Sequence, residues 1–173
     1  MTLDAAPEVA LDAVEWRVDG KPVNRDGQDR CRFVPYIDAR EVARLLDGWV
    51  GPENWSDEYE PAEGLGEAAL WCHLSVWDGE RWVTKRDVGK AGNFEAAKSL
   101  VSDAFKRAGC LKWGVGRNVY DLPTLWAPCR VDQKGRAWPN NNTLPSIQSQ
   151  LRDAGLGEVS GGRVAAGQPE VEW

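Results

Sequence analysis

An alternating run of residues that reverses at a two-residue turn is the feature that most constrains how this chain folds. From residue 68 to residue 77, apolar and polar side chains alternate, as they do in a strand with one buried face. The apolar positions of one face are Leu70, Cys72, Leu74 and Val76. Asp78-Gly79 favours a tight hairpin turn, and residues 80–88 return from it. The segment therefore predicts two antiparallel strands, with Trp77 and Trp82 paired across the turn.

A basic amphipathic helix is predicted to follow this hairpin. Residues 89–93 contain two glycines and favour a flexible joint. Over residues 94–112, apolar side chains recur at about 100° per residue, which places them on one helical face. They are Ala97, Leu100, Val101, Ala104, Ala108 and Leu111. Lys98 and Lys106 lie on the exposed side and Arg107 on its flank, so we expect an α+β fold in which an antiparallel sheet packs on a basic helix.

Weaker patterns precede the hairpin. Alternation over residues 14–18 and a run over 32–37 that contains a proline predict two short strands. The polar, glycine-containing stretch 19–30 indicates a loop between them. Asp38 is a suitable N-cap for a helix over residues 39–48.

Composition predicts one core with a flexible segment at each end. Residues 1–13 indicate a flexible leader and residues 14–127 the core. Residues 128–173 contain N-N-N-T, several glycines and four prolines without sustained periodicity, which is typical of a largely disordered tail. The tail ends in the acidic peptide P-E-V-E-W, a candidate docking peptide for a single-strand-binding protein or a recombinase. An unstructured end without a partner is the alternative.

The distribution of charge sets one segment apart from the rest. The net charge is -6, but residues 1–80 carry seven basic and 18 acidic side chains, whereas residues 81–117 carry nine basic and three acidic ones. Binding of nucleic acid depends on a local basic patch and not on the total charge. Residues 81–117 are therefore the candidate nucleic-acid-binding segment.

Several other classes of protein are disfavoured. The four cysteines are scattered and accompany a single histidine, His73, so we expect buried thiols and neither a metal nor a cofactor. No apolar run is long enough to cross a bilayer, and residues 1–16 lack the pattern of a signal peptide. We therefore expect a cytoplasmic protein, nucleoid-associated in a bacterium or phage, that has no membrane partner.

The order of several motifs resembles the Rad52/DdrA superfamily of single-strand annealing proteins. The hairpin tip and exit read W-D-G-E-R-W-V-T-K-R-D-V-G, and the helix reads E-A-A-K-S-L-V-S-D-A-F-K-R-A-G. The segment after the helix reads L-K-W-G-V-G-R-N-V-Y-D-L, and W-R-V, Y-I-D-A-R and G-P-E-N-W occur upstream. Each is similar to a motif of that family, and together they cover about residues 14–123 in the family's order.

The resemblance implies a fold, an assembly and a ligand. It implies a β-β-β-α core that forms a homo-oligomeric ring, with single-stranded DNA in a positively charged groove on the outside. Phosphates would contact basic residues while the bases face outward to pair with a complement. Such contacts are independent of base sequence and weaken as salt rises.

The resemblance and the charge pattern together give eight candidate DNA-binding residues. Lys106 and Arg107 match the family's K-R pair, and Lys98 matches a further basic position. The others are Arg40, Lys85, Arg86, Lys112 and Arg117. The sequence departs from the family at Cys110, where a basic residue is common, and Lys112 would project about 200° away from that position in an α-helix.

Some of these assignments leave alternatives open. Lys85 and Arg86 point to opposite faces of a strand, so at most one can face a given groove. Arg44 is an alternative to Arg40 on the first helix. A group near the start of the chain is a candidate opposite wall, although neighbouring aspartates partly neutralise it; its members are Lys21, Arg25, Arg30 and Arg32.

We therefore predict a protein that binds single-stranded DNA and anneals strands in DNA repair or recombination, without nucleotide hydrolysis. One alternative of the same fold is a DNA end-protection or recombination-mediator protein that anneals poorly. A protein-binding adaptor, whose basic helix pairs with an acidic partner, is an alternative of a different class. A nuclease is disfavoured because the acidic residues of 53–67 form no recognisable metal-binding motif.

Overall fold

The computed structural model describes residues 3–64, 69–90, 96–157 and 162–165, with the backbone alone described for residues 96–98. By its internal contacts the chain divides into two compact units. The first unit comprises Met1–Val9 and Ile37–Asn118, and the second comprises Ala10–Tyr36 and Val119–Trp173. This division differs from the single core expected over residues 14–127.

The first unit contains a three-stranded antiparallel sheet in the order β3-β4-β5. The strands are β3 (Trp55–Pro61), β4 (Ala69–Trp77) and β5 (Trp82–Lys90). β4 and β5 form the predicted hairpin, in which Trp77 lies opposite Trp82 with 5.8 Å between the ring centroids. The structure thus confirms the hairpin and the pairing of Trp77 with Trp82, but residues 78–81 form the turn, which is longer than the predicted Asp78-Gly79, and β5 begins at Trp82 instead of residue 80.

Two helices belong to the same unit. Helix α1 (Ala39–Val50) begins as predicted at Asp38, whose side chain accepts a hydrogen bond from the Arg40 backbone N–H at 2.8 Å. Helix α2 (Ala96–Lys106) follows β5, so the order β3, β4, β5, α2 is the β-β-β-α order that the resemblance implies. The side chains of Leu46, Leu74 and Val76 are fully buried and contribute to the core.

The segment after α2 departs from the predicted α-helix. Residues Arg107–Trp113 form a π-helical turn instead, in which hydrogen bonds join residues five apart. The single α-helix expected over residues 94–112 is therefore an α-helix up to Lys106 and a π-helical turn after it. Residues 94 and 95 lie outside the described ranges. The π-helical turn ends at Gly114, whose positive φ of 86° favours glycine.

The second unit contains a five-stranded sheet in the order β7-β6-β2-β1-β8. Its strands are β1 (Glu15–Arg25), β2 (Gln28–Tyr36), β6 (Leu125–Val131), β7 (Ala137–Pro139) and β8 (Arg163–Ala165). The expected loop at residues 19–30 is mostly strand, because Asp26-Gly27 forms a tight turn with positive φ angles and joins β1 to β2. The polar residues on either side of this turn conceal the alternation from a local reading of the sequence.

The tail predicted to be disordered is ordered in much of its length. β6 pairs with β2, and helix α3 (Thr143–Asp153) buries Ile147 and Leu151 completely. The Thr143 hydroxyl donates a hydrogen bond to the Pro128 carbonyl at 2.6 Å, which fixes the start of α3 on β6. These partners are distant in sequence, so a local pattern does not reveal them. The acidic tip at residues 169–173 lies outside the described ranges.

The expected flexible leader is also held in place. The Pro7 carbonyl accepts a hydrogen bond from the Gly116 N–H at 2.8 Å, and Asn118 bonds both backbone groups of Val9. Val9 itself is 3% exposed. The leader therefore packs against the chain end of the first unit, more than 100 residues away along the sequence.

The expectation of four free thiols is half right. All four cysteines are buried, but Cys31 on β2 and Cys129 on β6 form a disulfide, with 6.0 Å between their Cα atoms. Cys72 and Cys110 are free. The disulfide was not foreseen because its two cysteines come together only when β6 pairs with β2.

Candidate nucleic-acid interface

A buried carboxylate, Asp87, organises the basic residues at one end of the helix. Asp87 lies on β5 and its side chain is 9% exposed. Its Oδ1 lies 3.4 Å from Arg107 Nη2 and its Oδ2 lies 3.6 Å from Lys112 Nζ. Both cationic side chains remain more than 40% exposed. One carboxylate thus holds two cations at the surface of the first unit.

The π-helical turn explains why Arg107 and Lys112 share this carboxylate. In an α-helix, residues five apart would point about 140° away from each other. In a π-helix, residue i+5 lies above residue i because the hydrogen bond joins this pair. The change of winding therefore brings Lys112 next to Arg107, while Cys110 remains fully buried and Lys112 does not take its place.

Lys85 joins the same cluster from the strand. Its Nζ donates a hydrogen bond to the Lys112 carbonyl at 3.1 Å and lies 4.2 Å from the centroid of the Trp113 ring. Neither partner cancels its charge. We call Lys85, Asp87, Arg107 and Lys112 the Asp87 cluster: Arg107 and Lys112 contact the carboxylate, and Lys85 contacts the Lys112 backbone. Its three cations and one carboxylate leave a formal surplus of two positive charges.

Two further candidate residues lie near the end of the helix. Burial raises the pKa of the Cys110 thiol to about 11, and the nearby charges of Lys106 and Arg117 lower it in part. The Arg117 guanidinium donates to the carbonyls of Cys110 and Leu111 at 3.1 and 2.8 Å. Arg117 therefore satisfies backbone acceptors at the end of the π-helical turn, a structural role that leaves its charge in place.

Three other predicted residues are not placed in the Asp87 cluster. Arg86 lies on the opposite face of β5 from Lys85, where it stacks over Trp71 at 4.7 Å and lies 4.0 Å from Glu60. Arg40 is at the start of α1, is 91% exposed and pairs with Asp38 at 3.1 Å. The Lys98 side chain lies outside the described part of the chain.

Asp87 is a member of this site that the sequence did not single out as a binding residue, whereas Trp113 belongs to the quoted L-K-W-G motif. Asp87 belongs to the quoted D-V-G motif. Because it lies two residues after Lys85 on β5, strand alternation predicts that both side chains are on the same face of the strand. Trp113 is 7% exposed and its Nε1–H donates to the Leu74 carbonyl at 2.9 Å. It therefore anchors the end of the π-helical turn to β4 while its ring supports Lys85.

The described residues contain no group of three or more histidine, cysteine or carboxylate side chains arranged to hold a metal ion. Within the same ranges, no helix combines the length and the apolar character required to span a membrane. The surface chemistry of the Asp87 cluster is that of a cationic site, suited to phosphate or carboxylate groups.

Comparisons with known proteins agree with this reading. Two curated relatives carry the name single-stranded DNA-binding protein DdrA. The relative from Deinococcus radiodurans is 38% identical over 100 residues, covering 57% of this chain and 45% of that protein. The relative from Deinococcus deserti is 36% identical over 118 residues, covering 66% and 53%. The chain thus spans about half the length of these relatives, and no solved structure matches it significantly.

The family profile described as Rad52/22 family double-strand break repair protein matches residues 10–137. The matched range contains β1 to β6, both helices of the first unit and the whole Asp87 cluster. This match confirms the resemblance derived from the ordered motifs. Because it extends over most of the sequence, the chain belongs to the Rad52/22 family of double-strand break repair proteins.

Proposed function

We propose that this chain binds single-stranded DNA through the Asp87 cluster and the adjoining Lys106, and that it promotes strand annealing in DNA repair or recombination. The observation that carries the proposal is the contact of Arg107 and Lys112 with one buried carboxylate, with Lys85 bonded to the Lys112 carbonyl beside them. That placement occurs in a chain whose named relatives are single-stranded DNA-binding proteins.

The Asp87 cluster suits phosphate groups in particular. Asp87 occupies only part of the hydrogen-bonding capacity of Arg107 and Lys112, and both contacts are longer than 3.3 Å. A phosphate oxygen can therefore approach the exposed donors without displacing the carboxylate. Contacts with phosphates do not depend on the base sequence and do not occupy the bases. This mode of binding therefore leaves the bases free to pair with a complement.

Further candidate residues extend the proposed path of the strand. Arg117 lies at the same end of the helix as Lys106. The remaining candidates, Lys98, Arg40 and Arg86, would contact DNA only where its path continues beyond the Asp87 cluster. An oligomeric ring would repeat a weak cationic site around its circumference and raise the total affinity through avidity. We propose that annealing requires this assembly and involves no nucleotide hydrolysis.

The proposal is tested by binding of a fluorescent oligothymidylate to the full chain. We expect the variant Lys106→Ala with Arg107→Ala to bind more weakly than the parent while its circular dichroism spectrum is unchanged. The matched control is Arg81→Ala with Arg152→Ala, which removes two charges from exposed positions on a turn and on α3. Equal affinity of the parent and the Lys106/Arg107 variant would show that the site is misplaced.

A second assay separates annealing from end protection. Complementary oligonucleotides are mixed with the parent chain, with and without a single-strand-binding protein, and duplex formation is followed by fluorescence. Accelerated duplex formation supports annealing. Binding without acceleration, together with resistance of the DNA ends to an exonuclease, would favour end protection instead.

A further inference from the structure

The sheet of the second unit has one buried face and one face rich in arginine and tryptophan. Cys31 and Phe33 on β2 are fully buried, so Arg30 and Arg32, which alternate with them, lie on the other face. Arg32 lies opposite Trp126 on β6, and Arg130 on β6 lies opposite Trp138 on β7. We name this surface the arginine–tryptophan face. Its members are Arg25, Arg30, Arg32, Trp126, Arg130, Arg136 and Trp138.

The tryptophans on this face are stacked with arginines. The Arg25 guanidinium lies 5.6 Å from the centroid of the Trp126 ring. Those of Arg130 and Arg136 lie 5.5 and 5.7 Å from the centroid of Trp138. Stacking on an indole orients a guanidinium and leaves its N–H donors and its full charge available, because the ring carries no compensating charge.

The charge of the face is only partly neutralised. Arg32 pairs with Asp19, and Arg136 pairs with Asp132. Within the described residues, no carboxylate lies within 4.0 Å of the guanidinium nitrogens of Arg25, Arg30 or Arg130. Arg25 and Arg130 are exposed to solvent. The face therefore presents a surplus of positive charge on a scaffold of paired strands.

The combination of residues favours a nucleic acid over an acidic peptide as the ligand. Arginine forks bind phosphate in a bidentate manner, and the half-buried tryptophans and the guanidinium planes offer stacking partners for bases. An acidic peptide would use the charges but would have no use for the aromatic planes. An exposed sheet with alternating cations and aromatic rings suits a flexible single strand, whose bases can turn toward the surface.

We propose that the arginine–tryptophan face is a second binding surface for single-stranded nucleic acid, separate from the Asp87 cluster in both residues and structural unit. The proposal does not depend on the Asp87 cluster, because the two surfaces share no residue. Arg25 and Arg130 contact phosphates, while Trp126 and Trp138 hold the arginines and lie beside the bases.

The experiment measures binding of fluorescent oligothymidylate to the full chain carrying Arg25→Ala with Arg130→Ala. We expect about five- to tenfold weaker binding and a shallower dependence of affinity on salt, as loss of two phosphate contacts requires. Arg152→Ala, an exposed arginine of α3 outside the face, is the control and should bind as the parent does. Arg130→Lys keeps the charge but loses the planar stack, so we expect an intermediate affinity.

Ultraviolet cross-linking to the same oligonucleotide provides an independent readout. We expect cross-linked peptides that contain Trp126 or Trp138 in the parent and in the Lys106→Ala, Arg107→Ala variant. If the Arg25/Arg130 variant binds with the affinity of the parent and neither tryptophan is cross-linked, this inference is wrong. That outcome would not affect the proposed role of the Asp87 cluster. If binding is lost in the Arg25/Arg130 variant but not in the Lys106/Arg107 variant, the arginine–tryptophan face is the main binding site. That outcome would contradict the proposed function of the Asp87 cluster.

A polyglutamate peptide distinguishes the other class of partner. If the peptide binds the parent chain and loses affinity in the Arg25/Arg130 variant while oligothymidylate does not, the face is a docking site for an acidic protein and the proposal is wrong. Weak or unaltered peptide binding, with weakened oligonucleotide binding, supports it.

Discussion

Asp87 and Arg107 lie 20 residues apart in sequence, yet Asp87 Oδ1 is 3.4 Å from Arg107 Nη2. This contact joins β5 to the start of the π-helical turn, and it places a carboxylate beneath a cation that we assign to DNA binding. Arg107 Nε is buried and has no hydrogen-bond partner. The guanidinium is therefore held by a single carboxylate and depends on it.

Replacing that carboxylate should destabilise the fold. In Asp87→Asn, Arg107 and Lys112 lose their counter-charge, and we expect the free energy of unfolding to fall by about 1–3 kcal/mol. Urea denaturation followed by circular dichroism measures the change. Asp153→Asn, at an exposed position of α3, should be neutral; an equal loss in both variants would show that the effect is not specific to Asp87.

Two glycines offer a matched pair with opposite expectations. A Cβ at Gly89 would lie 2.5 Å from the Ala104 backbone nitrogen, whereas a Cβ at Gly48 would meet nothing within 4 Å. Gly89→Ala should therefore force α2 away from β5 and cost about 1–3 kcal/mol. Gly48→Ala, on the exposed side of α1, should stabilise by about 0.5–1 kcal/mol. Thermal unfolding of the two variants measures the difference in sign.

Local signals predicted the parts of the fold that surround the site. The Asp78-Gly79 turn fixed the β4–β5 hairpin, and Asp38 fixed the start of α1, because a turn and an N-cap depend on residues within a few positions. The Asp87 cluster could be predicted only in part. Strand alternation puts Lys85 and Asp87 on one face, but the pairing of Lys112 with Arg107 requires the π-helical winding.

Long-range pairing accounts for what the sequence did not reveal. β6 completes a sheet with β2, and the Cys31–Cys129 disulfide joins these two strands across 98 residues. The composition of residues 128–173 is rich in turn-forming residues, which favours a prediction of disorder. Burial of Ile147 and Leu151 and pairing of β6 supply the stability that this composition conceals.

Reduction of the disulfide should lower stability substantially. On the loop-closure account, a cross-link that spans 98 residues restricts the unfolded chain and contributes about 4–5 kcal/mol. We expect a strong reductant to lower the urea midpoint of the parent. The variant Cys31→Ala with Cys129→Ala should show no response to the reductant; a response there, or none in the parent, would contradict this role.

Asp132 should make stability depend on pH in the acid range. The Arg136 backbone N–H, with further donors from Trp138, Lys134 and the Arg136 side chain, lowers the pKa of the Asp132 carboxyl below its usual value. Because the folded-state pKa is depressed, the stabilisation is present above the unfolded pKa of about 4 and is lost as pH falls through the folded-state value. Asp132→Asn should therefore be less stable than the parent near neutral pH.

The difference between these two proteins should narrow as the solution becomes more acidic. Urea midpoints at neutral pH and at about pH 3, below the unfolded pKa, measure it. Asp153→Asn serves as the control because Asp153 is exposed on α3. A difference between the parent and Asp132→Asn that stays constant with pH would show that the carboxylate charge is not responsible.

The salt dependence of oligothymidylate binding tests the central claim most directly. Between about 50 and 200 mM salt, the slope of log K against log salt reports how many phosphates are neutralised, at roughly 0.7 per contact for a single strand. We predict that Lys106→Ala with Arg107→Ala makes the slope shallower by about 1.4 while the Arg81/Arg152 control keeps the parent slope. A slope that is the same in all three proteins would contradict the assignment of the DNA phosphates to this end of the helix.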